Sequence, residues 1–124
     1  MAILRHETPD GGAHFDLLLS DRASVEDDAR VVPTWRCEAD PFEMQPGERA
    51  RVRGLEPHRG LYLRLEGTRE LDGARGRVHA VHRGWHRVER GVRTLCANSG
   101  ARVTLRLGTH EIERLDDADQ KKAS

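Results

Sequence analysis

The sequence predicts an all-β fold, a small antiparallel β-barrel with short loops or turns of helix. Three observations carry that prediction. Short segments of alternating apolar and polar residues recur along the chain, the pattern of strands that bury one face. Turn residues, chiefly Gly and Pro, separate these segments. No stretch has the periodicity of a long amphipathic helix. Many short strands so punctuated close into a barrel or stack as a sandwich.

The elements follow in order. Ala2 to Arg5 is short and apolar-rich and reads as a first strand. His14 to Ser20 alternates, with Phe15, Leu17 and Leu19 facing a core and His14, Asp16 and Leu18 facing the other way. Asp21 to Arg30 is acidic and polar, an exposed loop or short helical turn. Val31 to Cys37 is β-branched and aromatic, and Pro33 places it at an edge or a bulge. Ala39 to Glu48 holds Pro41, Pro46 and Gly47 and reads as a loop, followed by a short strand from Arg51 to Leu55. Gly60 to Glu66 alternates again, Leu61, Leu63 and Leu65 against Tyr62, Arg64 and Glu66, and reads as a strand. Asp72, Gly73 and Gly76 mark a turn into a strand from Arg77 to Arg83, which Trp85 to Glu89 extends beyond Gly84. Arg102 to Leu107 puts Val103, Leu105 and Leu107 on one face, and His110 to Leu115 returns as its hairpin partner after Gly108. Residues 1–115 thus read as one domain, and 116–124, without periodicity, as a flexible tail.

Composition narrows the function classes. A chain of 124 residues supports one modest core. It is 36% hydrophobic and 34% charged, so the core must come from patterning rather than abundance. The 21 basic and 21 acidic residues balance, which leaves no global basic footprint for nucleic acid; such binding would rest on a local patch. No apolar run is long enough for a membrane span and no signal-peptide stretch opens the chain, so a soluble cytoplasmic protein is expected. Cys37 and Cys96, far apart and outside any CxxC spacing, read as reduced thiols.

The segment His6-Glu-Thr-Pro-Asp-Gly-Gly-Ala-His14-Phe-Asp16 is the most informative. His14 and Asp16 share a strand face, and His6 lies a short loop upstream. Two imidazoles and a carboxylate converging there can hold a divalent metal. The same spacing also fits a strand with one polar, solvated face.

His6…His14-Phe15-Asp16 resembles the metal-binding signature of the 3′-phosphoesterase domain of bacterial DNA ligase D, a family with stand-alone members. Thr34-Trp35 resembles the family's next short strand. Leu55-Glu56-Pro57-His58-Arg59-Gly60-Leu61-Tyr62, running on to Glu66-Gly67, is similar to its segment carrying a His and a Tyr. Gly73 to Val78 looks like its Gly-rich turn, and the likeness spans about Ile3 to Gly84. The resemblance implies a divalent metal, most often manganese with zinc as the alternative, held by His6, His14 and Asp16. It implies that His58 and Tyr62 contact the scissile phosphate. The substrate would be a DNA 3′ end bearing a phosphate or a terminal ribonucleotide, processed during repair. A DNA ligase or repair polymerase would be the partner.

Departures from the family pattern matter equally. Gly11-Gly12 lengthens the loop between the two histidines, and Leu18 stands where the family places a phosphate-binding arginine. Arg51, Arg53, Arg64, Arg75 and Arg77 are candidate replacements, since the guanidinium fork suits phosphate; each also fits a solvated sheet face. His79, His82, His86 and His110 are not assigned to the metal. Three readings therefore stand: a metal-dependent 3′-phosphoesterase, a catalytically weak or inactive module on the same fold that binds nucleic-acid ends or a repair partner, and a phosphoesterase for a small nucleotide.

Overall fold

The structure, a computed structural model, describes residues 1–116. Nine strands form it: β1 (Ala2–Glu7), β2 (Ala13–Leu18), β3 (Arg30–Cys37), β4 (Arg49–Arg59), β5 (Thr68–Glu70), β6 (Arg77–Glu89), β7 (Val92–Ala97), β8 (Arg102–Leu107) and β9 (Glu111–Arg114). Short 3-10 turns occupy Pro41–Glu43 and Gly60–Leu63. The neighbour order β1-β2-β3-β4-β9-β8-β7-β6 closes through a β1–β6 pairing into an eight-stranded antiparallel barrel, as the sequence predicts. β5 adds outside the ring, against β6. Among the described residues no helix is long and apolar enough to cross a membrane.

Strand alternation sends residues of β1 and β2 to two apolar clusters. Ile3, Leu17 and Leu19 join Val52, Leu95, Val103, Leu105 and Ile112 in the cluster that draws on both halves of the barrel and fills its interior. Ala2, Leu4 and Leu18 point the other way and form a second cluster with Val32 and Val78. Tyr62, Leu63, Leu65 and Leu71 cover it. The first two strands are therefore buried on both faces, which makes them a stiff platform for the polar side chains at their ends.

Several elements differ from the sequence reading. Gly60 to Glu66 does not form a strand. Its first residues make a 3-10 turn because their N–H groups are taken by the preceding loop: Gly60 donates to the Ala29 carbonyl and Leu61 to that of Asp27, both at 3.1 Å. A Cβ at Gly60 would lie 2.3 Å from the Glu26 carbonyl oxygen, so only glycine allows this approach. Of the two readings of Pro33, the bulge fits, since the register of β3 against β4 shifts between Val32 and Thr34, and the edge does not, since β3 has β2 on one side and β4 on the other. β4 runs well beyond Arg51 to Leu55 at both ends. β5 and β7 were not legible as strands. Cys37 and Cys96 are free thiols. The tail reading for 116–124 falls outside the described residues apart from Asp116.

One histidine ties a barrel end together. His86 Nε2 donates to the Ser20 carbonyl at 2.7 Å, and its Nδ1 accepts an N–H from Arg93 at 3.0 Å. The Arg93 guanidinium also lies 5.8 Å from the centre of the Trp35 ring. Burial, with the Arg93 charge adding to it against the Ser20 bond, holds the His86 pKa below its ordinary 6.5. The fold thus keeps this imidazole neutral where the unfolded chain protonates it. Stability contributed by His86 is complete above about pH 6.5 and falls as pH drops toward the lowered folded value. In thermal melts, the margin of wild type over His86→Gln is expected to shrink between pH 7.5 and pH 5. A margin independent of pH contradicts this assignment.

Candidate metal centre

The β1–β2 hairpin assembles the predicted trio. Antiparallel register sets His6 directly across from His14 and Leu4 across from Asp16. Paired residues share a face, so both imidazoles and the carboxylate project from one side of the sheet. The loop of Thr8 to Gly12 permits this register. Thr8 N–H bonds the Gly12 carbonyl at 2.9 Å, and Gly11 adopts φ +88°. The inserted glycines close the hairpin rather than separate the ligands.

His14 Nε2 lies 2.9 Å from His6 Nδ1 and 3.7 Å from Asp16 Oδ1. One ligand atom from each of the three residues falls within 4.8 Å of the others. A divalent ion with bonds of about 2.1 Å keeps neighbouring ligands roughly 3 Å apart, which the two imidazole nitrogens match. His6 supplies a second test of fit. Its Nε2 contacts the Arg75 carbonyl at 2.8 Å. A carbonyl only accepts, so that nitrogen carries the proton and Nδ1 presents its lone pair to the site. Metal-ligating imidazoles are oriented by such a bond to a backbone oxygen. His6, His14 and Asp16 form a group that can hold a metal ion.

The electrostatics agree with that capacity. Asp16 is 3% exposed. Burial pushes its pKa up, but His58, Arg36 and His14 around it prevail and hold the carboxyl below its ordinary value. Burial lowers the His14 pKa, and the Arg36 charge lowers it further. At neutral pH the pair is a carboxylate and a neutral imidazole, the forms that bind metal.

Two further groups flank Asp16. Arg36 Nε stands 3.4 Å from Oδ1, and His58 Nε2 stands 3.9 Å from Oδ2. His58 Nδ1 donates to the Glu56 carbonyl at 3.1 Å, which turns Nε2 toward the site. Tyr62 meets His58 edge to face, with ring centres 5.9 Å apart. A continuous extended segment does not produce this contact. His58 is the last residue but one of β4, and the 3-10 turn folds Tyr62 back beside it.

The candidate arginines separate by environment. Arg53 lies directly opposite Arg36 on the same face, and Arg51 follows two residues away. Arg64 is bound to Asp27 and to the Val25 carbonyl. Arg77 bonds Glu7 at 2.8 Å and helps bring the Glu7 carboxyl down to about 2; Glu7 follows His6 directly on β1 and so faces the other way. Arg75 contributes its backbone carbonyl to His6, while its Nε donates to the Asp72 carbonyl. Leu18 does share the trio's face, and it is fully buried in the cluster against which Tyr62 packs. It is part of the apolar floor beneath the Tyr62 turn.

Other partners lay beyond the reach of sequence reasoning. Arg36 meets Asp16 only because β2 and β3 pair them across the sheet. Arg59 and Arg69 place guanidiniums 5.7 and 5.8 Å from the Tyr62 ring centre, one from β4 and one from β5. The alternation of Arg51 and Arg53 was the one signal of a basic strip. His82 pairs with Asp40 at 2.9 Å and stacks on Phe42, while His79 contacts Glu7 and Thr68; neither joins the trio. Comparison with protein-family models, with curated proteins and with solved structures gives no match.

Proposed function

We propose that the protein is a metal-dependent phosphoesterase that removes a 3′-phosphate or a terminal ribonucleotide from DNA ends. One observation supports this most strongly. The potential metal ligands share a face with a guanidinium and an imidazole, both within 4 Å of the buried Asp16 carboxylate. A cation, a proton donor and a divalent metal each lower the barrier to phosphate ester hydrolysis. His6, His14 and Asp16 would hold a divalent ion, which would neutralise phosphate charge and lower the pKa of a bound water. The mixed nitrogen and oxygen donors suit manganese and also accommodate zinc.

The chain's own groups have separate tasks in this reading. Arg36 and Arg53 bind non-bridging oxygens of the phosphate. His58 Nε2 gives a proton to the 3′ oxygen as its bond to phosphorus breaks; water forms the new bond to phosphorus, and the proton it loses returns to His58 through solvent. Tyr62 orients His58 from beside the ring and donates its hydroxyl to the phosphoryl group. The product is a 3′-hydroxyl end, the form that a ligase or polymerase reaction consumes.

Leu18 favours a second reading. A leucine there cannot stabilise developing charge, so the same face would serve as a non-catalytic binder of nucleic-acid ends. A gel assay separates the two. A labelled primer–template with a 3′-phosphate or one terminal ribonucleotide is incubated with manganese, with and without chelator. The proposal expects dephosphorylation or shortening by one nucleotide that the chelator stops. Folded, metal-loaded protein that gives no product overturns it in favour of the binder.

A further inference from the structure

The face that carries the trio continues across β3 and β4 into a groove of about 380 Å³ lined by His14, Arg36, Glu38, Arg51, Arg53 and His110. His14 belongs to both, so the groove opens directly from the candidate metal centre. At its far side the turn before β9 is fixed against the sheet, where the Val52 N–H bonds the His110 carbonyl at 3.0 Å. This places a ring from the last hairpin at the end of the groove.

The groove holds more positive than negative charge, with Arg36, Arg51 and Arg53 against Glu38. Among the described residues Arg51 and Arg53 have no ion-pair partner, and Glu38 Oε1 is already bonded to the Arg51 backbone N–H at 2.9 Å. Arg53 stands directly across from Arg36, and like charges so placed repel. Arg49 offers a contrast on the same face of the same strand. It is paired with Glu111 and Glu113, at 3.6 and 3.7 Å. Of Arg49, Arg51 and Arg53, the two without an ion pair are the two that line the groove.

Their spacing suits a particular occupant. Alternate residues of a strand recur about every 6.8 Å, close to the step between successive phosphates in an extended single strand. Adjacent strands lie about 4.8 Å apart, so Arg36 and Arg53 step outward from Asp16 in the direction such a strand would take. We propose that this groove binds the backbone of a single-stranded 3′ tail, the phosphate nearest the trio between Arg36 and Arg53 and the next at Arg51 beside His110. Which phosphate reacts rests on the phosphoesterase reading; binding of the tail does not. The groove selects a polynucleotide end over a small nucleotide.

The test is fluorescence anisotropy of a 5′-labelled oligodeoxynucleotide ending in a 3′-phosphate, over a series of salt concentrations and in chelator. Each phosphate contact on a single strand contributes about −0.7 to the slope of log K against log salt. The double variant Arg51→Ala with Arg53→Ala is expected to flatten the slope by about 1.4, whereas Arg49→Ala keeps the wild-type slope. A nucleoside 3′-phosphate is expected to compete only at far higher concentration than the oligonucleotide. All substituted positions are exposed, and circular dichroism verifies folding. An unchanged slope in the double variant, equal flattening by Arg49→Ala, or equal competition by the nucleoside 3′-phosphate overturns the proposal. Because chelator is present, hydrolysis plays no part in the outcome. A failed gel assay with the expected slopes removes the enzyme and leaves the groove. Hydrolysis with unchanged slopes does the reverse.

Discussion

His14→Ala is expected to lower manganese affinity by about 100-fold or more while the barrel stays folded. His14 is the central donor of the trio, with its Nε2 2.9 Å from His6 Nδ1 and 3.7 Å from Asp16 Oδ1. Without it, His6 and Asp16 retain one nitrogen and one carboxylate for the ion. Altering even an outer partner of a metal ligand typically costs 10- to 100-fold, so losing a ligand sets about 100-fold as the lower expectation. The side chain sits at the rim rather than in either apolar cluster, so little folding energy is at stake. Isothermal titration with manganese reads the affinity, and a thermal melt reads the fold. Affinity unchanged in a folded variant would remove His14 from the site.

Gly76→Ala is expected to damage stability and site together. Gly76 has φ +91°, outside the region a side chain tolerates. A Cβ there would lie 1.9 Å from the Glu7 carbonyl oxygen, so β1 and the start of β6 must separate. Strain and lost pairing of this kind cost about 2–4 kcal/mol, or roughly 10 °C in melting temperature for a domain of this size. The shift also moves the preceding residue, Arg75, whose carbonyl orients His6. Manganese affinity of the folded fraction is expected to fall as well. Gly84→Ala is the control. Its Cβ would also lie 1.9 Å from a backbone oxygen, that of Cys96, but on the seam between β6 and β7. It should lower the melting temperature and leave manganese affinity intact. Equal affinity losses in both variants would show that the Arg75 carbonyl does not act on His6 specifically.

The same residues show what a reader of the sequence can and cannot see. Strand parity alone assigns Phe15, Leu17 and Leu19 to one side and Leu18 to the other, as found. The trio is legible because a local hairpin builds it, so the eleven residues from His6 to Asp16 contain its geometry. Arg36 is not, because its place beside Asp16 depends on the register between β2 and β3 across a long loop. Which strands close the barrel is hidden for the same reason, as β1 pairs with a strand some 75 residues later. β7 escapes because the inward positions of Val92 to Ala97 mix Arg93 with Leu95, and Arg93 turns toward His86 and Trp35 instead of solvent. Gly60 to Glu66 misleads because its leucines alternate as in a strand, whereas the second cluster takes Tyr62 together with Leu63 and Leu65, and Gly60 and Leu61 give their N–H groups to Ala29 and Asp27.

The trio itself is tested most directly by anomalous diffraction at the manganese edge from crystals soaked in manganese. The expected result is one strong peak bonded to His6 Nδ1, His14 Nε2 and an Asp16 carboxylate oxygen, with His6 Nε2 still on the Arg75 carbonyl. A manganese-soaked crystal with no peak at these atoms, or with its peak at another carboxylate such as Glu7, contradicts the metal centre and the hydrolytic function built on it.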